Sequence, residues 1–352
     1  MQYAVIMAGG AGTRLWPAAR RESPKQLQRL IFEQPLIAET VQRFTGVYEP
    51  ERILIVTARR YADSIRESLP NVPAGNIISE PVGRNTAAAI ALAAFRIARD
   101  DPKGVFAVFP ADHVILKPES LFQALDFANE LALHHRVVDI GVPPSHPETG
   151  YGYIELGREL ERRDGLVAHE VERFVEKPSL EKAQEYVRAG NYIWNSGMFV
   201  WRATEYLRAL EEYLPDTYTR LEAPFRSGSW DELSEAYARI DDISVDYAIM
   251  ERTSDVVAVP VDFGWRDIGD WSALYDMMDH DENGNAFGGP HAYLDTENCL
   301  LFAPNKLIAT IGLRDLVVVD TDDVILIMPR SRSQEVKTLL ERIEETGQDS
   351  YL

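Results

Sequence analysis

Short apolar runs alternate with amphipathic stretches through the first two-thirds of the chain. Tyr3–Met7, Ile53–Val56, Val105–Phe109 and Val137–Gly141 read as buried strands. Between them, Leu36–Phe44, Ala62–Leu69, Thr86–Arg99 and Leu121–Leu133 carry helical spacing. Strands alternating with helices predict βαβ units, hence an α/β fold whose mostly parallel sheet is covered by helices on both faces. From about Leu180 to Ile249 the pattern is mainly helical, and Val256–Val261 and Phe263–Trp265 then look extended. Asp281-Glu282-Asn283-Gly284-Asn285 is a polar break, which places a first domain over 1–280 and a second over 281–352. In the second, strand-like runs recur at Cys299–Phe302, Leu307–Ile311, Leu316–Val319 and Val324–Met328. A helix over Ser333–Thr346 closes this small β-rich module.

Ligands of such sheets bind at the carboxyl ends of the strands. The first strand runs into a Gly-rich turn, Ala8-Gly9-Gly10-Ala11-Gly12-Thr13-Arg14, with Lys25 following in Ser23-Pro24-Lys25-Gln26. Glycines there let backbone N–H groups approach an anion, because no Cβ stands in the way. Arg14, Arg20, Arg21, Lys25 and Arg29 face only Glu22 in the first thirty residues, although the chain carries a net charge of −20. A cationic stretch against that background points to a phosphate site. It is not a Walker A loop, and Leu15 stands where a dinucleotide fingerprint needs its third glycine. Ordinary structural glycines at a strand-to-helix turn are the competing reading.

The length of 352 residues and the 45% hydrophobic content fit a globular protein with a large core. The acidity argues against a nucleic-acid binder, which would carry a basic face. It leaves room for nucleotides, which need only a local basic pocket. Cys299 is the single cysteine, which fits a cytoplasmic setting. No apolar run approaches the roughly 20 residues of a membrane span, and no signal-peptide pattern precedes the glycines.

Two acids invite a metal. Asp112, in Phe109-Pro110-Ala111-Asp112-His113, follows the third apolar strand. A carboxylate there suits Mg²⁺ or another divalent cation, which takes hard oxygens from one or two carboxylates and from phosphates. From Asp112 alone, a helix-capping role is the stronger reading, and a second acid is needed to make the metal case. Asp267, in Gly264-Trp265-Arg266-Asp267-Ile268-Gly269, is the candidate for a second ligand, or an ordinary turn residue. Glu80-Pro81-Val82-Gly83-Arg84-Asn85-Thr86 precedes an Ala-rich helix that Asn85 or Thr86 could cap. Its functional reading is base recognition. Guanine offers N1–H and N2–H₂ as adjacent donors, and a carboxylate such as Glu80 can accept both, with backbone near Gly83 taking the remaining polar edge. No H-E-x-x-H spacing and no G-x-S-x-G elbow occurs.

The N-terminal stretch GGxGTRLWP…SPKQ resembles the signature of the sugar-nucleotide pyrophosphorylases, most closely the mannose-1-phosphate guanylyltransferases. EPxGRNT, FVEKP, WNSGMF and FGWxDxGxW follow in the family's order, so the resemblance covers nearly the whole chain. It implies a Rossmann-like nucleotidyltransferase fold with a β-helix-like C-terminal module. It also implies that GTP and mannose 1-phosphate become GDP-mannose and diphosphate with Mg²⁺ bound by Asp112 and Asp267. Arg14 and Lys25 are then the catalytic cations. Ala8, Gly9, Gly10, Gly12, Thr13, Glu80, Gly83, Asn85, Thr86 and Asp112 bind the nucleotide alongside them. Gly150, Tyr151, Gly152, Glu176, Lys177, Asn195 and Gly197 hold the sugar phosphate, Lys177 on the phosphate and Glu176 on the hydroxyls. Bifunctional relatives continue into a phosphomannose isomerase domain, so isomerase activity is not expected. A nucleotidyltransferase for another sugar 1-phosphate and a non-catalytic subunit that senses GDP-mannose are the rival readings. No nucleic-acid or membrane partner is expected. The β-rich tail and the helix near Trp271–Met278 could form a homodimer contact or pack on the main domain.

Overall fold

The computed structural model describes residues 1–10 and 12–352. They pack as two compact units. One comprises Met1–Gly9, Val41–Ala111 and Ile115–Trp265; the other comprises Gly10–Thr40, Asp112–Val114 and Arg266–Leu352.

The strands up to residue 260 are β1 (Gln2–Ala8), β2 (Ile53–Ala58), β3 (Ile77–Glu80), β4 (Val105–Pro110), β5 (His113–Ile115), β6 (Val137–Val142), β7 (Tyr153–Arg163), β8 (Leu166–Val175), β9 (Tyr192–Arg202) and β10 (Val256–Pro260). All but β5 form one sheet of the first unit, in the order β3-β2-β1-β4-β9-β6-β10-β8-β7. Its β3-β2-β1-β4 part is parallel. Runs such as Ile53-Leu54-Ile55-Val56 are buried on both faces, as strands of a covered parallel sheet must be. The helix Asn85–Asp100 covers one face. Its residues Ala87 to Ala94 are all buried, and small side chains let the helix come close to Phe106, Val108 and Trp201 in a shared core.

The sequence predicts a mainly helical stretch from Leu180 to Ile249, but Tyr192–Arg202 within it is a strand. It lies antiparallel between β4 and β6. Its Ile193, Trp194, Phe199, Val200 and Trp201 are β-branched or aromatic, and all are buried. The burial available inside the sheet outweighs the helical tendency of the flanking sequence. The β7–β8 hairpin turns at Asp164-Gly165, both at positive φ, the dipeptide that a tight hairpin turn favours.

Gly141 lets β9 come close to β6. The pairing is irregular between Asp139 and Gly141, and Gly141 stands opposite Asn195. A Cβ at Gly141 would lie 2.2 Å from Ile193 Cδ1 and 3.1 Å from the Trp194 carbonyl oxygen.

The second unit joins distant pieces of chain around its own core. Leu15, Trp16, Leu30 and Leu36 pack with Trp271, Leu274, Leu300, Phe302, Val317, Val319 and Val336. The Trp271 indole donates to the Trp16 carbonyl at 2.8 Å, and the Trp16 indole donates to the Tyr351 carbonyl at 2.6 Å. Ala286–Phe287, Leu300–Phe302 and Leu316–Asp320 stack in parallel, with Ile325–Pro329 antiparallel at one side; His291–Leu294 and Ile308–Ile311 form a second parallel pair. Among the described residues, no helix is long and apolar enough to cross a membrane.

Gly141→Ala is expected to destabilise the protein by about 1–3 kcal/mol through overpacking. A shift of the urea midpoint measures it, and an unshifted midpoint would show that β6 and β9 do not depend on this close approach.

Candidate active site

In the second unit the geometry begins at Gly12. Its φ is +65°, and a Cβ there would lie 2.2 Å from the Lys25 Cβ. Only glycine suits both the left-handed backbone and the close approach. Lys25 opens a short 3₁₀ turn after Pro24 and is 4% exposed. Its ammonium lies 2.7 Å from Asp112 Oδ2 and 3.3 Å from Asp267 Oδ1. Asp112 follows the end of β4. Asp267 ends the short strand Trp265–Asp267, which pairs with β5. Burial would pull the Lys25 ammonium down, but the two carboxylates outweigh it and hold its pKa above the ordinary lysine value. Burial likewise opposes ionisation of Asp112, and Lys25 and then His113 overcome it, so Asp112 sits below the usual carboxylate range. Arg14 is exposed and donates from Nη1 to Gln334 Oε1 at 3.1 Å. Gly10 and Thr13 belong to the same stretch; Ala11 lies outside the described residues.

Two carboxylates converging on one cation fit a divalent metal that completes its shell with phosphate oxygens. Among the described residues, no group of three or more His, Cys, Asp or Glu could hold a metal by itself.

In the first unit, Glu80 ends β3 and is buried. Its Oε1 accepts from the Tyr237 hydroxyl at 2.7 Å, and a Cβ on Gly9 would lie 3.0 Å from its Oε2. Burial pushes the Glu80 pKa up to about 6, against the hydrogen bonds from Tyr237 and the Arg84 backbone. Ala8 is buried at the end of β1, and Gly83 is exposed, with open space where a Cβ would stand. Asn85 takes φ +62° and accepts the Thr86 N–H at 2.9 Å. The Thr86 hydroxyl accepts from the Val245 N–H at 2.9 Å. Both side chains thus serve the local structure at the start of the helix.

The seven sugar candidates gather in the same unit. The Gly150 N–H is taken by Glu148 Oε1 at 2.8 Å, and the Tyr151 ring packs edge-on against Trp194 and Trp265. Gly152 lies between two of the others: a Cβ there would stand 2.5 Å from Glu176 Oε2 and 3.2 Å from the Asn195 Cβ. Lys177 Nζ donates to Glu176 Oε1 at 2.5 Å, while the buried Glu176 Oε2 has no hydrogen-bond partner among the described residues. Asn195 accepts from the Gly197 N–H at 2.7 Å and donates from Nδ2 to Asp246 Oδ1 at 2.9 Å.

Asp246 and Tyr237 were not among the sequence candidates. Asp246 opens the π-helical turn Asp246–Met250, a geometry frequent at functional sites. Burial, then the neighbouring Glu176, pushes its pKa up to about 6. The sequence signal was a lone carboxylate beside Val245, Ala248, Ile249 and Met250, all buried. Nearby, Asp139 is fully buried, and neither of its carboxylate oxygens is hydrogen-bonded among the described residues.

Residues 3–284 match the nucleotidyl transferase family model, and residues 289–343 match that of the MannoseP isomerase/GMP-like beta-helix domain. A mannose-1-phosphate guanylyltransferase of Klebsiella pneumoniae is 40% identical over 361 residues, covering 100% of this chain and 76% of the relative. One from Escherichia coli K12 is 41% identical over 358 residues, covering 99% and 75%. The chain belongs to the nucleotidyl transferase family of mannose-1-phosphate guanylyltransferases. A crystal structure named as mannose-1-phosphate geranyltransferase from Thermus thermophilus superposes with a TM-score of 0.87 at 35% identity, covering 97% of this chain and 99% of that one. Nucleotidyl transferases of this kind generally use a divalent metal.

Burial, and then Asp246, raises the Asp139 pKa well above the ordinary value in this guanylyltransferase. Its ionisation is therefore easier in the unfolded chain. Stability is lost as pH rises from the unfolded carboxylate range toward the folded pKa. Asp139→Asn removes this loss, so the variant should melt higher than the wild type at pH 8. The difference should vanish toward pH 4. A constant difference across that range would show that Asp139 does not titrate with unfolding.

Proposed function

We propose that the chain transfers the guanylyl group of GTP to mannose 1-phosphate, forming GDP-mannose and diphosphate. The observation that carries this reading is the buried Lys25 ammonium beside Asp112 and Asp267. It is a charge arrangement suited to a phosphorus centre under attack, in a chain matched along its whole length by relatives named for this reaction.

A phosphate oxygen of the sugar phosphate attacks the α-phosphorus. The new P–O bond forms as the bond to the β-phosphate oxygen breaks, and diphosphate leaves with that electron pair. The nucleophile is already an anion near neutral pH, since its second pKa is about 6. No protein base is needed. The work left to the chain is alignment and charge neutralisation. Lys25 stabilises the α-phosphate, and Arg14 with the amides around Gly10 to Thr13 holds the departing phosphates. Lys177 exchanges its bond with Glu176 for one to the sugar phosphate, which releases Glu176 to accept from sugar hydroxyls. Asn195, fixed by Gly197 and Asp246, faces the same hydroxyls. Glu80 accepts the N1–H and N2–H₂ of guanine, helped by Ala8, Gly9, Gly83, Asn85 and Thr86 around it. Asp112 and Asp267 would hold Mg²⁺, which supplies further charge neutralisation when bound. The setting we infer is the cytoplasm, consistent with a single, buried cysteine.

Diphosphate release from GTP plus mannose 1-phosphate, with and without Mg²⁺, tests the reading. Activity with another nucleotide or sugar phosphate in a matched panel, and none with this pair, would overturn it. In the same assay Lys25→Ala should lose on the order of 10²–10³ in kcat. Turnover near that of the wild type would remove Lys25 from the mechanism.

Glu80→Gln places an amide N–H against the donor edge of guanine. Its kcat/KM should fall about 30- to 100-fold for GTP. The fall should be smaller for ITP, whose base lacks the 2-amino group. Guanosine has no phosphate to titrate, and its binding to the wild type should weaken as pH falls through about 6. Equal losses for GTP and ITP would place Glu80 away from the base.

A further inference from the structure

Arg14 reaches into solvent on a long, flexible side chain, yet its head group is held. Among the described residues, Gln334 is the hydrogen-bond partner of its guanidinium, at 3.1 Å. Gly269 leaves room beside it: a Cβ there would stand 3.7 Å from both Nη1 and Nη2 and 3.8 Å from Asp267 Oδ2. The guanidinium and one of the two carboxylates that face Lys25 thus both border the space beside Gly269. Gln334 itself lies in the turn Arg330–Glu335, just before the helix Val336–Glu345.

The other end of the Gln334 amide is fixed as well. Its Nε2 donates to Asp270 Oδ2. Asp270 is 6% exposed and caps the helix Trp271–Met277, its Oδ1 accepting from the N–H groups of Ser272 at 2.7 Å and Ala273 at 3.0 Å. The orientation of the amide follows from chemistry alone. An ionised carboxylate only accepts hydrogen bonds and a guanidinium only donates them. Gln334 stands between one of each, so its NH₂ must face Asp270 and its carbonyl oxygen must face Arg14. A flipped amide would set donor against donor at Arg14 and acceptor against acceptor at Asp270.

We propose that Gln334 is a positioning residue for the transfer reaction. It aims Arg14 at the phosphates that depart, and Asp270 fixes the direction in which its amide acts. The proposal rests on the reading above, in which Arg14 binds those phosphates. Holding the guanidinium in place before substrate arrives spares it rotamer freedom that would otherwise be lost on binding. Gln334 touches no reacting atom, so its effect belongs to pyrophosphate affinity and to the KM for GTP, with kcat changed less.

Calorimetric binding of inorganic pyrophosphate to the full chain tests this, alongside steady-state kinetics. Gln334→Ala should weaken pyrophosphate binding and raise the GTP KM about 3- to 10-fold, the effect of losing one orienting hydrogen bond. The melting temperature should stay near that of the wild type. Arg14→Ala should weaken binding more, and the double variant should be no weaker than Arg14→Ala. Asp270→Asn is the complementary probe. Asparagine caps a helix as well as aspartate does, but its NH₂ would turn the Gln334 amide around and present a donor to Arg14. It should weaken pyrophosphate binding at least as much as Gln334→Ala. Unchanged binding in Gln334→Ala, or losses that add fully in the double variant, would overturn the proposal. Wild-type protein that released no diphosphate from GTP and mannose 1-phosphate would instead overturn the functional reading, and the two failures are separable.

Discussion

The placement of one buried ammonium governs the second unit. Lys25 is 4% exposed, and such a charge is costly to bury without partners. Asp112 and Asp267 meet that cost, and they come from parts of the chain 87 and 242 positions away (112 − 25 and 267 − 25). Each requirement then constrains the next. Gly12 must lack a side chain so that the Lys25 side chain can sit against it. Asp112 must follow the end of a central strand. Asp267 must end a strand that pairs with β5. The same arrangement that satisfies the lysine leaves two carboxylates aimed at one point, which is what phosphoryl chemistry with a divalent ion asks for.

A comparable economy holds the sugar candidates together in the first unit. Asn195 is fixed by a backbone donor on one side and by Asp246 on the other. Gly152 is a glycine because Glu176 and Asn195 occupy the space where its side chain would be. Acidic groups gather there with little solvation, and Glu176 keeps one oxygen without a hydrogen-bond partner among the described residues. Buried acceptors that lack donors are expensive. A ligand rich in hydroxyl donors is the natural remedy.

Much of this was readable before any coordinates. The alternation of apolar runs and amphipathic stretches marks β1, β2, β4 and β6 and the helices between them, because a covered parallel sheet requires unbroken apolar strands. The Gly-rich turn and its cations stand out against an acidic chain. Other features were hidden for physical reasons. β9 sits inside a helix-rich stretch, and only its antiparallel place between β4 and β6 makes it a strand. β7 and β8 are half exposed, so their apolar signal is weak, although the Asp164-Gly165 turn marks the hairpin. Tyr237, Asp246 and Gln334 act through contacts with residues 157, 51 and 320 positions away. No local pattern encodes such contacts.

The Trp16 indole gives one further consequence, in the timing of synthesis. Trp16 receives the Trp271 hydrogen bond from 255 positions further along and donates its own to Tyr351, 335 positions further along. Leu15 and Trp16 leave the ribosome early, while the side chains that bury them, from Ile268 to Val336, are still to be made. Chains fold domain by domain as they emerge, but the core that this loop joins is completed only by residues as distant as Val336. The Gly-rich turn is thus translated well before the residues that shape it, so its folded form waits on the synthesis of Ile268 to Val336.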